Sequence, residues 1–136
     1  MLKVEHLGFA VKNLGESEAL YNQLLGIEPY KHETVESEQV TTSFYQVGEV
    51  KIELLEATND QSAIAGFIEK KGEGLHHVAF EVQDIRKEIS RLKDLGFQIL
   101  YEEPKEGADN KLVTFIHPKS AGGVLIELCQ TKDHQQ

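Results

Sequence analysis

HLGFAVKNL at residues 6–14 and HVAFEVQDI at residues 77–85 are two versions of one pattern. His6 corresponds to His77, Phe9 to Phe80 and Val11 to Val82, with Asn13 matched by Asp84. A second match follows in the same order: GEVKIELL at 48–55 and GGVLIELC at 122–129 share Gly, Val, Ile, Glu and Leu, so Glu53 corresponds to Glu127. Two matches in register identify an internal duplication. Each histidine segment is followed by apolar residues at helical spacing and then a glycine stop: Leu20, Leu24 and Leu25 before Gly26, and Ile85, Ile89, Leu92 and Leu95 before Gly96. Asp84 is the expected N-cap of the second helix.

Outward from these anchors, each half reads as a strand, a helix and three strands. The strands are expected near 2–11, 28–37, 39–47 and 49–56, then near 75–83, 97–103, 111–117 and 123–130. Gln61–Lys71 is expected to be a short helix capped by Asn59, Asp60 or Ser62, Pro104–Asn110 a polar loop, and KDHQQ a frayed tail. The predicted fold class is α+β: two pseudo-symmetric βαβββ modules, each with one sheet face covered by its helix. The expected division is a single domain over 1–136, with module 1 at about 1–58, a linker helix at about 59–72 and module 2 at about 73–132.

The 136 residues carry 14 Lys+Arg against 23 Asp+Glu, a formal charge of -9 at pH 7, which argues against a nucleic-acid partner. One cysteine, Cys129, excludes an internal disulfide framework and fits a reducing compartment. The N-terminal MLKVEHLGFAV alternates polar and apolar residues, unlike a signal peptide, and no stretch approaches the ~18 apolar residues of a membrane span. A cytoplasmic protein with no membrane partner is expected.

Strand parity singles out four side chains. Leu7, Phe9 and Val11, and Val78, Phe80 and Val82, form bulky apolar faces suited to lie beneath helices. The opposite faces carry His6 with Gly8 and Ala10, and His77 with Ala79; the small neighbours are expected to leave space beside each imidazole. Glu53 and Glu127 interrupt strands that are otherwise apolar, where a lone carboxylate is costly to bury. A core histidine and edge glutamates with local partners would be the bland reading. Two of each at repeat-equivalent positions favour a His₂Glu₂ site for one divalent metal, His6, Glu53, His77 and Glu127. Imidazole and carboxylate without thiolate suit Co²⁺, Mn²⁺, Ni²⁺, Zn²⁺ or Fe²⁺.

The other histidines draw weaker expectations. His76 points away from His77's face, His32 and His134 are expected in solvent, and His117 precedes the last strand in His-Pro-Lys-Ser. Lys119 and Ser120 in that loop are candidate substrate contacts for an anionic group. Cys129 shares the parity of Glu127 and is expected to be packing.

With these residues in place, the sequence resembles the vicinal oxygen chelate (glyoxalase/bleomycin resistance/dioxygenase) superfamily and, within it, the methylmalonyl-CoA epimerases. The likeness runs from VEHLGFAVKNL through IELLEAT and FIEKKGEGLHHVAFEV to EEPKEGA and FIHPKSAGGVLIEL, nearly the whole chain. It implies paired βαβββ modules forming an open, metal-binding β-barrel-like cleft, a divalent metal on His6, Glu53, His77 and Glu127, an acyl-CoA thioester substrate and a homodimer. The chain departs from the pattern in two ways. Some epimerases have glutamine where this chain has Glu53, which also resembles the bacterial glyoxalase I set. Some carry a further acid on the third strand, and alignment from Glu38-Gln39 puts Ser43 there.

The expected reaction is metal-dependent epimerisation of a 2-methylmalonyl thioester by α-proton abstraction through a stabilised enolate. Glu127 is the expected acid/base on one face, with Glu53 or a water on the other. The alternatives are a glyoxalase I (lactoylglutathione lyase) isomerisation, an Fe(II) dioxygenase, against which Glu53 counts, and a non-catalytic ligand-binding protein on the same scaffold.

Overall fold

The computed structural model describes residues 1–132; the expected frayed tail, including His134, falls largely on residues 133–136, outside the described residues. The elements follow the duplicated order: β1 (Lys3–Ala10), α1 (Leu14–Leu25), β2 (Lys31–Val35), β3 (Val40–Val47) and β4 (Val50–Ala57), then α2 (Ala63–Lys71), then β5 (Gly74–Glu81), α3 (Ile85–Asp94), β6 (Lys105–Gly107), β7 (Lys111–Ile116) and β8 (Leu125–Thr131). The helices begin where polar caps satisfy their first amides. Asn13, Ser62 and Asp84 accept from the N–H groups of Glu16, Ile64 and Lys87. Gly26 ends α1 at φ 72°, a left-handed conformation that favours glycine.

The chain divides into two compact units, residues 6–76, and residues 1–5 together with residues 77 onward. The expected linker helix therefore belongs to the first unit.

In the first unit the strand order is β2-β3-β4-β1, with β1 parallel to β4 and the other pairs antiparallel. Val11, Tyr45 and Leu54 form a core with Phe9 and Ile52, covered by Leu14, Tyr21 and Leu25 of α1. This corrects the expected buried face of α1: Leu20 and Leu24 point outward, at 59% and 69% exposure. On the other side of the strands, Ala10, Val40 and Leu55 pack against Ile64, Phe67 and Ile68 of α2.

The second unit repeats the design as β5-β8-β7-β6, with β5 parallel to β8. Ile85, Ile89 and Leu92 of α3 close on Val82, Ile116 and Leu128, whereas Leu95, expected on the same face, is the largely exposed C-cap. The strand expected at 97–103 is broken. Ile99 bridges Ile116, and Leu100 N–H donates to the Phe115 carbonyl at 2.8 Å. Pro104, which has no N–H to give, separates this contact from β6, which lies inside the stretch expected to be a loop.

Candidate active site

In each unit the parallel pair of strands sets one histidine beside one glutamate. His6 is the register partner of Lys51, two residues before Glu53; His77 is the partner of Leu125, two residues before Glu127. The offset is the same in both units, and it places the two side chains of each pair on one face. His6 Nδ1 lies 3.2 Å from Glu53 Oε2, and His77 Nε2 lies 3.1 Å from Glu127 Oε1. All four residues are 4–6% exposed. The structure thus brings together His6 with Glu53 and His77 with Glu127.

These pairs fit a divalent metal. An imidazole nitrogen and a carboxylate oxygen 3.1–3.2 Å apart could be held by one ion, and the same distance is that of a direct imidazole–carboxylate hydrogen bond. The single thiol does not compete. Cys129 is fully buried with its Sγ 3.6 Å from the Phe80 carbonyl. Burial, then the neighbouring Glu127 carboxylate, push the thiol well above its usual range, so it stays protonated at neutral pH.

Each glutamate has an aromatic neighbour that the sequence reading passed over. Phe44 is the cross-strand partner of Glu53, and Phe115 is the partner of Glu127. Paired residues on antiparallel strands share a face, so these rings flank the carboxylates. Phe115 meets His77 edge-on at 6.2 Å between centroids. Phe44 is fully buried, with Lys31 Nζ 4.9 Å from its ring centroid. The signal was available: TSFY at 42–45 and VTFI at 113–116 are a third register of the duplication.

The register also corrects the third-strand alignment. Ser43 pairs with Leu54, on the face covered by α1, so its side chain points away from Glu53; its neighbours Thr42 and Phe44 are on the Glu53 face. Ser43 Oγ is buried and makes no hydrogen bond. Its repeat counterpart Thr114 is equally buried, yet its Oγ1 donates to the Tyr101 carbonyl at 2.5 Å. An unpaired buried hydroxyl is destabilising. Ser43→Ala is expected to raise stability by about 1 kcal/mol and to leave turnover unchanged; thermal melts and a turnover assay check this.

The remaining expectations resolve by location. Ala79, the small residue two positions after His77, packs with Val113 and Cys129, with Phe115 against them. His76 meets Phe67 of α2 edge-on at 4.9 Å, and the His32 ring is hydrogen-bonded to the Glu18 carboxylate of α1 rather than solely solvated. His117 Nδ1 accepts from Lys119 N–H at 3.0 Å, and Ser120 Oγ accepts from Gln98 N–H at 2.9 Å, so both side chains brace the turn before β8. Lys119 is exposed. Lys111, buried on the Cys129 side of β7, lies 3.7 Å from Glu5 and donates to Thr131 Oγ1 at 2.7 Å. Among the described residues, no helix is long and apolar enough to cross a membrane.

The family model described as the Glyoxalase/Bleomycin resistance protein/Dioxygenase superfamily matches residues 5–115. The ethylmalonyl-CoA/methylmalonyl-CoA epimerase of Cereibacter sphaeroides is 40% identical over 130 residues, covering 94% of this chain and 97% of the relative. The mitochondrial methylmalonyl-CoA epimerase of Bos taurus is 40% identical over 129 residues, covering 94% of this chain and 74% of the relative. A solved methylmalonyl-CoA epimerase in complex with methylmalonyl-CoA and NH₄⁺ is similar at a TM-score of 0.92 and 31% identity, covering 96% of this chain and 95% of that one.

Proposed function

The chain belongs to the Glyoxalase/Bleomycin resistance protein/Dioxygenase superfamily, and from that premise we propose that it interconverts the two epimers of methylmalonyl-CoA. It is an epimerase, an isomerase by reaction class, as its 40% identity to epimerases across 94% of the chain supports. The observation that carries the mechanistic reading is the pair of repeat-equivalent imidazole–carboxylate contacts, His6–Glu53 and His77–Glu127.

In this reading His6, Glu53, His77 and Glu127 jointly hold one divalent ion. When bound, the ion supplies a Lewis acid that stabilises negative charge developing on substrate oxygens. The chain's own groups do the rest. The α-carbon of the substrate lies between a thioester and a carboxylate, so its proton is acidic enough for a positioned carboxylate to remove. Glu127 is proposed to exchange that proton on one face, and the first unit serves the other, through Glu53 or a water. Phe44 and Phe115, each beside one glutamate, exclude water and strengthen electrostatic interactions at the reacting centre. A chain of net charge -9 needs local cations for an acyl-CoA anion. Lys31 and Lys51 share Glu53's face by register, and Lys119 and Ser120 are the proposed contacts from the last loop. A cytoplasmic homodimer completes the proposal.

The test is a side-by-side assay with methylmalonyl-CoA and the methylglyoxal–glutathione hemithioacetal. Turnover of the first is expected, and turnover of the second alone would assign the lyase reaction instead.

A further inference from the structure

We infer that Tyr101 is a positioning residue: acting through Phe115, its ring holds the His77 imidazole in the orientation that metal binding requires. The inference rests on the reading of His77 as a metal ligand, and every residue in the chain of contacts belongs to the second unit.

A histidine ring needs such support. The torsion that turns an imidazole about its Cβ–Cγ bond has broad wells, so the aim of a ring nitrogen is set by what the ring touches. At the edge of the His77 ring the contact is polar, Nε2 lying 3.1 Å from Glu127 Oε1. Against the ring itself stands Phe115, at 90° and 6.2 Å between centroids, and Phe115 is also the cross-strand partner of Glu127. Tyr101 meets Phe115 in turn, at 70° and 6.2 Å, within the range of favourable edge-to-face pairs. His77, Phe115 and Tyr101 thus form a row of three rings.

The row is anchored at its Tyr101 end, where the expected strand breaks. Leu100 still donates its N–H to a β7 carbonyl, that of Phe115, but the Tyr101 backbone turns to a side chain instead. Its N–H donates to Thr114 Oγ1 at 3.2 Å, and its carbonyl accepts from the same hydroxyl at 2.5 Å. Thr114 is fully buried, so water does not compete for either bond. On the ring, Lys105 Nζ sits 4.3 Å from the Tyr101 centroid, a cation–π contact. One hydroxyl pins the backbone and one ammonium holds the ring, which keeps Tyr101 against Phe115.

The first unit shows that the sheet itself does not need this clamp. Tyr30 precedes Tyr101 by the same interval as His6 precedes His77, and Ser43 precedes Thr114 likewise. There the Tyr30 N–H donates to the Phe44 carbonyl, and Ser43 Oγ makes no hydrogen bond, yet β2, β3 and β4 pair in full register. The Thr114–Tyr101 clamp therefore serves something other than strand pairing, and the ring at the far end of its row is His77.

Metal-stripped wild-type, Tyr101→Phe, Tyr101→Leu and Thr114→Val proteins are titrated with Co²⁺ under visible absorption, and thermal melts are taken of each. The imidazole ¹H–¹³C NMR signals of the metal-free proteins are recorded alongside, with those of His77 identified by their absence in a His77→Gln variant. Tyr101→Leu is expected to bind cobalt about tenfold more weakly, with an altered cobalt spectrum and with His77 signals moved as the Phe115 ring shifts. Thr114→Val, which keeps the side chain's shape and removes the hydroxyl, should move both readouts the same way. Tyr101→Phe, which keeps the ring, should match wild type. Either Tyr101→Leu or Thr114→Val binding cobalt within about twofold of wild type, or weakening it with His77 signals unmoved, overturns the assignment; the second result, with a lowered melting temperature, is what a purely structural role would give. A Tyr101→Phe protein as impaired as Tyr101→Leu overturns it too. These outcomes presuppose wild-type protein that binds cobalt, and wild-type protein that binds none overturns the metal reading and the role of Tyr101 with it.

Discussion

Glu127→Gln is expected to lower the epimerisation rate by about three orders of magnitude while the protein stays folded. Glutamine retains a carbonyl oxygen able to face His77 but neither the negative charge nor the capacity to accept the α-proton. The flanking Leu128 and Cys129, both fully buried, are untouched, and they tie this part of β8 to the cores on its two faces. The loss should therefore appear in turnover and not in the thermal melt. Metal content measured on the same preparation separates the two roles proposed for the residue. Reduced activity at normal metal content identifies the proton-transfer role, and reduced metal content identifies the ligand role. An unimpaired variant with normal metal content would contradict both.

The largest effect on stability is expected from the neighbouring residue. Leu128 is fully buried in the cluster that joins α3 to the second unit's strands, among Val82, Ile85, Ile89, Leu92 and Ile116. Leu128→Ala removes the apolar contacts of three carbons and leaves a cavity that surrounding side chains fill only in part. The expected cost is about 3 kcal/mol, or a fall in Tm of roughly 10 °C for a chain of this size. Denaturant unfolding with an unchanged m-value checks it. A cost below about 1 kcal/mol would mean that the α3 cluster is not the packed core described above.

The duplication made most of the architecture legible. The strand–helix–strand order, the cap at Asp84, the stop at Gly26 and the pairing of His6 with Glu53 and His77 with Glu127 follow from two short matches and strand parity, while Ser62 is the one of three candidate caps that the structure uses. Parity succeeds on β1, β4, β5 and β8 because each has a bulky apolar face under a helix, which fixes the register strongly.

The misreadings have local physical causes. In α1, Leu20 and Leu24 make one i, i+4 stripe, and Leu14, Tyr21 and Leu25 make another. Periodicity alone cannot choose between them; the packed stripe is the one that meets Phe9, Val11, Tyr45 and Leu54. On the third strand, a single turn at Glu36–Glu38 and a left-handed Gln39 at φ 56° intervene before β3. An alignment carried through such a turn slips by one residue, and a one-residue slip moves a side chain to the other face. That is how Ser43 was assigned a place that the strand gives to Thr42 or Phe44. β6 was illegible for a different reason: Lys105–Gly107 has no apolar alternation, and the segment is a strand through its pairing with Lys111–Val113.

The central claim is that the His6–Glu53 and His77–Glu127 pairs serve one ion between them, and that α-proton chemistry depends on it. Titrating metal-stripped protein with Co²⁺, while recording bound cobalt per chain and epimerase activity on the same samples, tests this most directly. One ion per chain is expected, with activity rising in step and saturating at that ratio. Two ions per chain, one for each pair, or full epimerase activity in protein that binds none, would contradict the account.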